Sequence, residues 1–477
     1  MYDGWQVPGV VQSAPSLEGS RRLSFTRRAA LQVGFSTAAG LTLPRLCDAK
    51  VSVDAVMDRQ GITASSVLLV YLPGAPSQID TFDMKPDAPA DFRGSFDPIS
   101  TSVSGTQICE HMPLLAQRAD KFTIVRSMEL TTIAGAHEHA TPLMLGGVDK
   151  RPPGTTLVNT RNDWPCYAAG LEYVLPGRSE LPSGVHLPRF ITNGAMGYAG
   201  QNGGFLGAAY DPMQIEDDPN KATFHAGSLK LAEGLSVGRM SLRRNLLNRF
   251  DHQRRRLDTA ASQAGYSAQQ QRAFRLLTSG KLAEAFDLNR EDVRRRDKYG
   301  RHTWGQSLLL ARRLIQAGVP MIQANLGPAG VWDTHKDNFT GLKNRLLPPF
   351  DAALSALLDD LYDTGAIEET LVIVISEFGR TPKIGGFVKT ILSSPTGREH
   401  WGSCFHALFA GGGVKPGRVV GESDQRAAYC KSRPFYPSDV GATVYTALGV
   451  NPRAEIRDHL DRPYKLNSGK VMRPLFG

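Results

Sequence analysis

Thr370-Leu371-Val372-Ile373-Val374-Ile375 is an unbroken apolar, β-branched run, and Ser376-Glu377-Phe378-Gly379-Arg380-Thr381-Pro382 follows it directly. A short run that is apolar at every position and closed by turn residues reads as a buried strand. Two further runs read as strands beside it. Ser66–Leu72 (SVLLVYL) ends in Pro73-Gly74, and Met321–Leu326 (MIQANL) runs into Gly327-Pro328. Lys121–Met128 (KFTIVRSM) and Phe405–Ala410, which leads into Gly411-Gly412-Gly413, read as additional strands. Helical patterns separate them at Met112–Asp120, around Leu346–Thr364, and at Ser438–Leu448, which opens at Pro437-Ser438-Asp439 and stops at Gly449. Buried strands alternating with helices predict an α/β fold, a doubly wound and mostly parallel sheet with helices on both faces. Residues 228–318 differ. They are charged, Arg-rich and poor in strand patterns, and are expected to form a helical insertion.

In a doubly wound sheet, chemistry gathers beyond the carboxyl ends of the strands. After MIQANL come Trp332-Asp333-Thr334-His335-Lys336-Asp337-Asn338, after TLVIVI come Glu377 and Arg380, and before the Phe405 strand lie Gly397-Arg398-Glu399-His400-Trp401. After the first strand comes Ser77-Gln78-Ile79-Asp80. Carboxylates and imidazoles converging from several strand ends are what a divalent cation requires. An Asp and a His two residues apart, with a distant Glu and His, suit zinc or manganese better than calcium. Ala136-His137-Glu138-His139-Ala140-Thr141 is a further cluster. On a strand or extended loop both histidines face one side, whereas on a helix they diverge by roughly 200°.

The N-terminal region carries two arginine pairs, Arg21-Arg22 and Arg27-Arg28, then a mildly apolar stretch from Ala29 to Leu43 closed by Pro44-Arg45. That order is the pattern of a twin-arginine export signal, expected over 1–49, with the working protein at 50–477 outside the cytoplasm or in the periplasm. The stretch is too short and too polar for a membrane span. The net charge of +9 lies partly in this signal and partly in 239–301, where acidic residues and leucines interleave at helical spacing. Solvated helix faces account for it better than a nucleic-acid partner. Of the five cysteines, none has metal-type spacing. Gly234-Leu235-Ser236-Val237-Gly238 matches a serine-hydrolase pattern but follows a helical stretch instead of a strand. The glycines of 411–417 lack the Gly-Lys-Ser/Thr ending of a phosphate loop.

TRRAALQVG, LPGAPSQIDTFDMKP, ICEHMPLLAQRADKFTIVRSM, YGRHTWGQSLLLARRLIQAGVP, WDTHKDNF, SEFGRTPKI, GREHWG and AGGGVKPGRVVGESD together resemble the domain-of-unknown-function 1501 family, over nearly the whole chain. That family is regarded as related to the alkaline phosphatase and sulfatase superfamily. The resemblance implies a metal-dependent hydrolase of phosphate or sulfate esters, on a small-molecule or polysaccharide substrate. Asp333, His335 and His400 resemble the ligands of one metal. Glu377 and Phe378 stand where a second metal takes an Asp-His pair, and Pro73-Gly74 where the superfamily's first metal-binding Asp is expected, with Asp80 a substitute further on. Thr141 is the nearest candidate nucleophile, and His137 or His139 are alternatives for that place, His139 also counting among the expected metal ligands. Arg380 is expected to stabilise charge on the transferred group, and Glu377 to complete a second metal site or act as general base. The competing expectation is a non-catalytic binding protein that keeps the fold.

Overall fold

A computed structural model describes residues 62–130, 136–152, 155, 158–177, 181–224, 280–387 and 394–477. The expected signal, the Gly234–Gly238 motif and residues 228–279 of the expected insertion lie outside them.

An eight-stranded sheet forms the centre. Its strands are β1 (Ser66–Tyr71), β2 (Thr123–Met128), β3 (Gly184–Leu187), β4 (Met213–Gln214), β5 (Met321–Asn325), β6 (Thr370–Ile375), β7 (Phe405–Ala410) and β8 (Arg418–Val420). They lie side by side in the order β8-β2-β7-β6-β1-β5-β3-β4. β6, β1, β5, β3 and β4 are parallel, as are β8 and β2. β7 runs against both of its neighbours. Its reversal has a simple cause. The chain leaves β6 at the carboxyl edge, makes an excursion beyond the sheet through residues 376–404, and re-enters at that same edge.

β6, β1 and β5 are adjacent in the middle. Every residue of each is buried, because helices cover both faces. The helices are α1 (His137–Gly146), α2 (Tyr167–Val174), α3 (Gly280–Phe286), α4 (Val293–Tyr299), α5 (Thr303–Ala317), α6 (Leu347–Asp363) and α7 (Pro437–Ala447). Strand alternation sorts the side chains between two cores. Leu68, Val70, Ile322, Ala324, Val372 and Val374 pack with residues of α3, α5 and α6. Val67, Leu69, Tyr71, Leu371, Ile373 and Ile375 pack with residues of α1, α2 and α7. The described part of the expected insertion, from 280 onward, is helical, and α5 from it is a buried layer of the sheet domain. β3, β4 and β8 were not expected. β3 holds a histidine, β4 is two residues long, and β8 is an edge strand with Arg418 and Val419 exposed, so none makes an apolar run. The helix expected over Met112–Asp120 shortens to one turn at Pro113–Ala116 and a 3-10 turn at Ala119–Lys121. No described helix is long and apolar enough to cross a membrane.

The fold encloses two histidines, His186 in β3 and His406 in β7, and burial pushes both down to about 3. Each is neutral in the folded chain and charges on unfolding below its ordinary value near 6.5. The contribution of each is therefore full above about pH 6.5 and falls as pH drops from there towards 3, by about 1.4 kcal/mol per pH unit. His406 Nδ1 has no hydrogen-bond partner among the described residues and the ring packs 5.0 Å from Phe82, so leucine is expected to fit there. Urea unfolding at pH 7 and pH 5 is expected to show a shallower acid loss for His406→Leu than for the parent. Parallel pH dependences would show that His406 is not held neutral.

Candidate metal centre

Strand ends and one helix start deliver the site. The loop after β5 carries Asp333 and His335, and the loop after β6 carries Glu377, Phe378 and Arg380. A two-stranded ribbon pairs Gly379–Arg380 with His400–Trp401. α1 begins at His137. Gly74, in the turn after β1, lets these loops meet. Its φ is +112°, and a Cβ there would lie 2.6 Å from the Asp333 nitrogen and 2.7 Å from that of Trp332. Backbone therefore packs on backbone, a contact that any side chain would block. The Gly74 N–H also donates to Glu377 Oε1 at 2.8 Å.

Asp333 is the point of convergence. His137 Nε2 lies 3.2 Å from its Oδ2, and the Nε2 atoms of His335 and His400 lie 3.1 Å and 3.4 Å from its Oδ1. The latter two nitrogens are 3.0 Å apart. Behind two of the rings stands a carboxylate: Glu377 Oε1 is 2.5 Å from His137 Nδ1, and Glu399 Oε2 is 2.9 Å from His335 Nδ1. A carboxylate behind an imidazole whose other nitrogen faces the site is how proteins orient histidine ligands. Phe378 forms an apolar floor, stacked on His137 at 4.9 Å and packed 4.8 Å from His400.

The charges are interdependent. Burial alone would lower His137, but Asp333 and Glu377 outweigh it and raise the group to about 9. Burial acts to raise Asp333, yet His137, His400 and Arg380 hold its carboxyl well below the usual range. Burial lowers His335, only partly opposed by Asp333. His137 Nε2 is buried and faces the Asp333 carboxylate at 3.2 Å, with the His400 ring beside it. The ligand atoms of His137, Asp333 and His400 lie within 4.8 Å of one another. Imidazoles crowded around one carboxylate suit a borderline divalent cation. The residues present fit a metal.

The structure brings Asp333, His335 and His400 together and adds His137. α1 resolves the histidine pair: on a helix the two diverge, so His137 enters the site while His139 is exposed and faces away from it. Asp80 does not reach the cluster. It is fully buried, its carboxylate forked onto Arg398 at 2.6 and 2.8 Å and accepting from Asn338 Nδ2 at 2.8 Å, so it meets a guanidinium instead of an ion. Thr141 is sealed at 1% exposure, its Oγ1 3.1 Å from the Tyr71 hydroxyl. Arg380 is fully buried as well. It donates to Ala75 O, Arg398 O, Gly74 O and the Asp333 carboxylate, so it positions Asp333 and does not face solvent to grip an ester. Glu377 is buried behind His137 and accepts from Tyr71 and Gly74, which removes it from solvent as a base. Glu399 and Gly74 were missed. Glu399 directly precedes His400 in sequence, but nothing in its spacing marks it as the partner of His335.

Among solved structures, Ps i-CgsB in complex with k-i-k-neocarrahexaose is 14% identical over 87% of this chain and 76% of its own, with a TM-score of 0.38. A phosphonate monoester hydrolase from Silicibacter pomeroyi is 14% identical over 87% and 77%, at 0.35. A mutant of the alkaline phosphatase PafA is 10% identical over 86% and 99%, at 0.40. These overlaps are partial, and the fold stands on its own sheet order. No curated protein matches the sequence. The family model described as "Protein of unknown function (DUF1501)" matches residues 64–476, and the chain belongs to that family.

Proposed function

We propose that this chain is an exported, metal-dependent hydrolase of phosphate or sulfate esters. The observation that carries the reading is the convergence of the His137, His335 and His400 Nε2 atoms on the Asp333 carboxylate. The class of ester follows from the family's resemblance to phosphatases and sulfatases, and export from the paired arginines at 21–22 and 27–28. Asp333, His137, His335 and His400 would hold a divalent cation, zinc or manganese, which when bound supplies Lewis-acid chemistry, polarising an ester oxygen and acidifying water.

The remaining work falls to the chain's own groups. Glu377 and Glu399 fix the rings of His137 and His335. Arg380 holds the Asp333 carboxylate in place and ionised. Phe378 excludes water from beneath two imidazoles. Asp333, His335 and His400 keep 22%, 13% and 15% side-chain exposure, which leaves a solvent-side approach for an ester. With Thr141 sealed against Tyr71, water is the attacking group in this reading. The sealed threonine and the phenylalanine in place of a second ligand equally suit the other reading, a binding protein that keeps one ion in a sulfatase-like fold.

Elemental analysis of the purified chain is expected to find a stoichiometric divalent metal that is lost in His335→Ala. Metal-loaded protein is expected to hydrolyse aryl phosphates or aryl sulfates, with Asp333→Asn at least about a hundredfold slower. Bound metal without turnover of either ester class would favour the binding protein, and no metal after loading would remove both readings of the site. Glu377→Gln keeps the shape but weakens the hold on His137. Competition with a chromogenic chelator is expected to show metal affinity about 10- to 100-fold lower. Unchanged affinity would mean that His137 is not a ligand.

A further inference from the structure

Cys404 immediately precedes β7 and is fully buried, whereas Cys430, in the loop after β8, is half-buried. Their sulfurs come to one place from opposite sides of the end of β2. Cys430 Sγ lies 3.6 Å from Ser403 O and 3.6 Å from Met128 O, and Cys404 Sγ lies 3.5 Å from Arg126 O. Cys430 stands close enough to Cys404 to be the first cause that holds the Cys404 thiol above its ordinary range, ahead of burial. Both backbones are pinned there, since Met128 pairs with Phe405 and bridges Phe435. Cys109 and Cys166, by contrast, sit in the cores on opposite faces of the sheet and are not partners of each other.

The loop that carries Cys430 supports the ribbon that carries His400. It closes on itself through Lys431 N–H to Glu422 O at 2.8 Å and Asp424 N–H to Tyr429 O at 2.9 Å. From it, Ala428 O accepts the Trp401 indole N–H at 2.5 Å, and Ala427 O accepts from Gln78 Nε2 at 3.0 Å. Gln78 Oε1 in turn accepts the Arg380 N–H at 2.9 Å.

We propose that Cys404 and Cys430 close to a disulfide that staples the 422–431 loop against the segment bearing His400. The oxidant is a small-molecule disulfide acting by thiol exchange. Cys430, the thiol that solvent reaches, loses its proton and attacks one sulfur of that disulfide, whose S–S bond breaks to release one thiolate. Cys404 then loses its proton and attacks the Cys430 sulfur, and the second small thiolate leaves. Two protein thiols are oxidised to one disulfide while one small disulfide is reduced to two thiols. Such a bond persists in an oxidising compartment and opens in a reducing one, so the staple would form after export. It stands on the placement of the two thiols and is independent of what the site hydrolyses.

The test uses the full chain, reduced, freed of reductant and incubated folded with oxidised glutathione. Remaining thiols are then alkylated in denaturant and the digest is read by mass spectrometry. The expected product is a Cys404–Cys430 cross-linked peptide, lighter by two hydrogens than its two parts, with the melting temperature raised by roughly 3–6 °C. Cys430→Ala and Cys404→Ala are each expected to lose both the cross-link and the rise. The peptide map of the parent chain does not depend on how well these variants fold. Recovery of both cysteines as alkylated peptides overturns the proposal, and so does glutathione retained on Cys430 with Cys404 alkylated.

Discussion

Arg380 has no solvent at all, and a guanidinium cannot lose its proton to escape that environment. Its charge has to be met inside the protein, and the carboxylate that meets it is Asp333. Removing one member of such a buried pair typically costs about 3–5 kcal/mol, because the other is left uncompensated. The rest of the site is arranged around this pair. Arg380 also binds the carbonyls of Gly74 and Ala75, so the guanidinium ties the turn after β1 and the loops after β5 and β6 into one unit. Gly74 makes the same junction sterically possible by having no Cβ. Asp333 therefore presents its carboxylate to the imidazoles from a position that neither of its neighbouring loops can leave alone.

A second buried pair serves the ribbon. Arg398 is as fully buried as Arg380, and the Asp80 carboxylate accepts from its Nε and Nη2 in one forked contact. Thr334 O accepts from the Arg398 N–H at 3.1 Å, and the segment around Gly397 lies so close to His335 that a side chain would not fit. His335 and His400 thus belong to strands of chain that run against each other, anchored by Asp80 below. An aspartate that looks like a ligand in the sequence acts instead as the counter-charge that keeps His335 and His400 in register. The sum of charge points the same way. Near the imidazoles stand Asp333, Glu377 and Glu399 with one guanidinium, and His137 is raised to about 9 to make up part of the difference.

The centre of the fold could be read from sequence because β1 and β6 are buried on both faces, which leaves apolar runs, and β5 is a short, mostly apolar segment closed by Gly327-Pro328. Asp333, His335 and His400 were readable for a related reason: each is a polar group set beside such a run. What stayed hidden depends on pairing across the chain. Whether Asp80 meets a cation or an arginine is decided by Arg398, and no spacing encodes that. His137 and His139 could be separated only by knowing that α1 begins at His137. The edge strands β3, β4 and β8 are too short or too polar to carry a signal. Cys404 and Cys430 were not distinguished as a pair, because β2 brings them together and the intervening sequence does not.

Glu377 decides how many ions the site can hold. Its Oε1 accepts from Gly74 N–H and faces His137 Nδ1, and its Oε2 accepts from the Tyr71 hydroxyl. A carboxylate so engaged cannot bind an ion directly without leaving buried donors unpaired, which costs more than a single weak contact returns. Phe378 beside it offers no ligand atom, and Gly74 offers no side chain. The place that a second cation would need is filled by groups that orient His137 and by a ring that dries the floor under it. In the proposed reading these residues would hold one cation on Asp333, so that water activation and ester polarisation would have to be done at a single centre, with the protein's carboxylates acting through the imidazoles they hold.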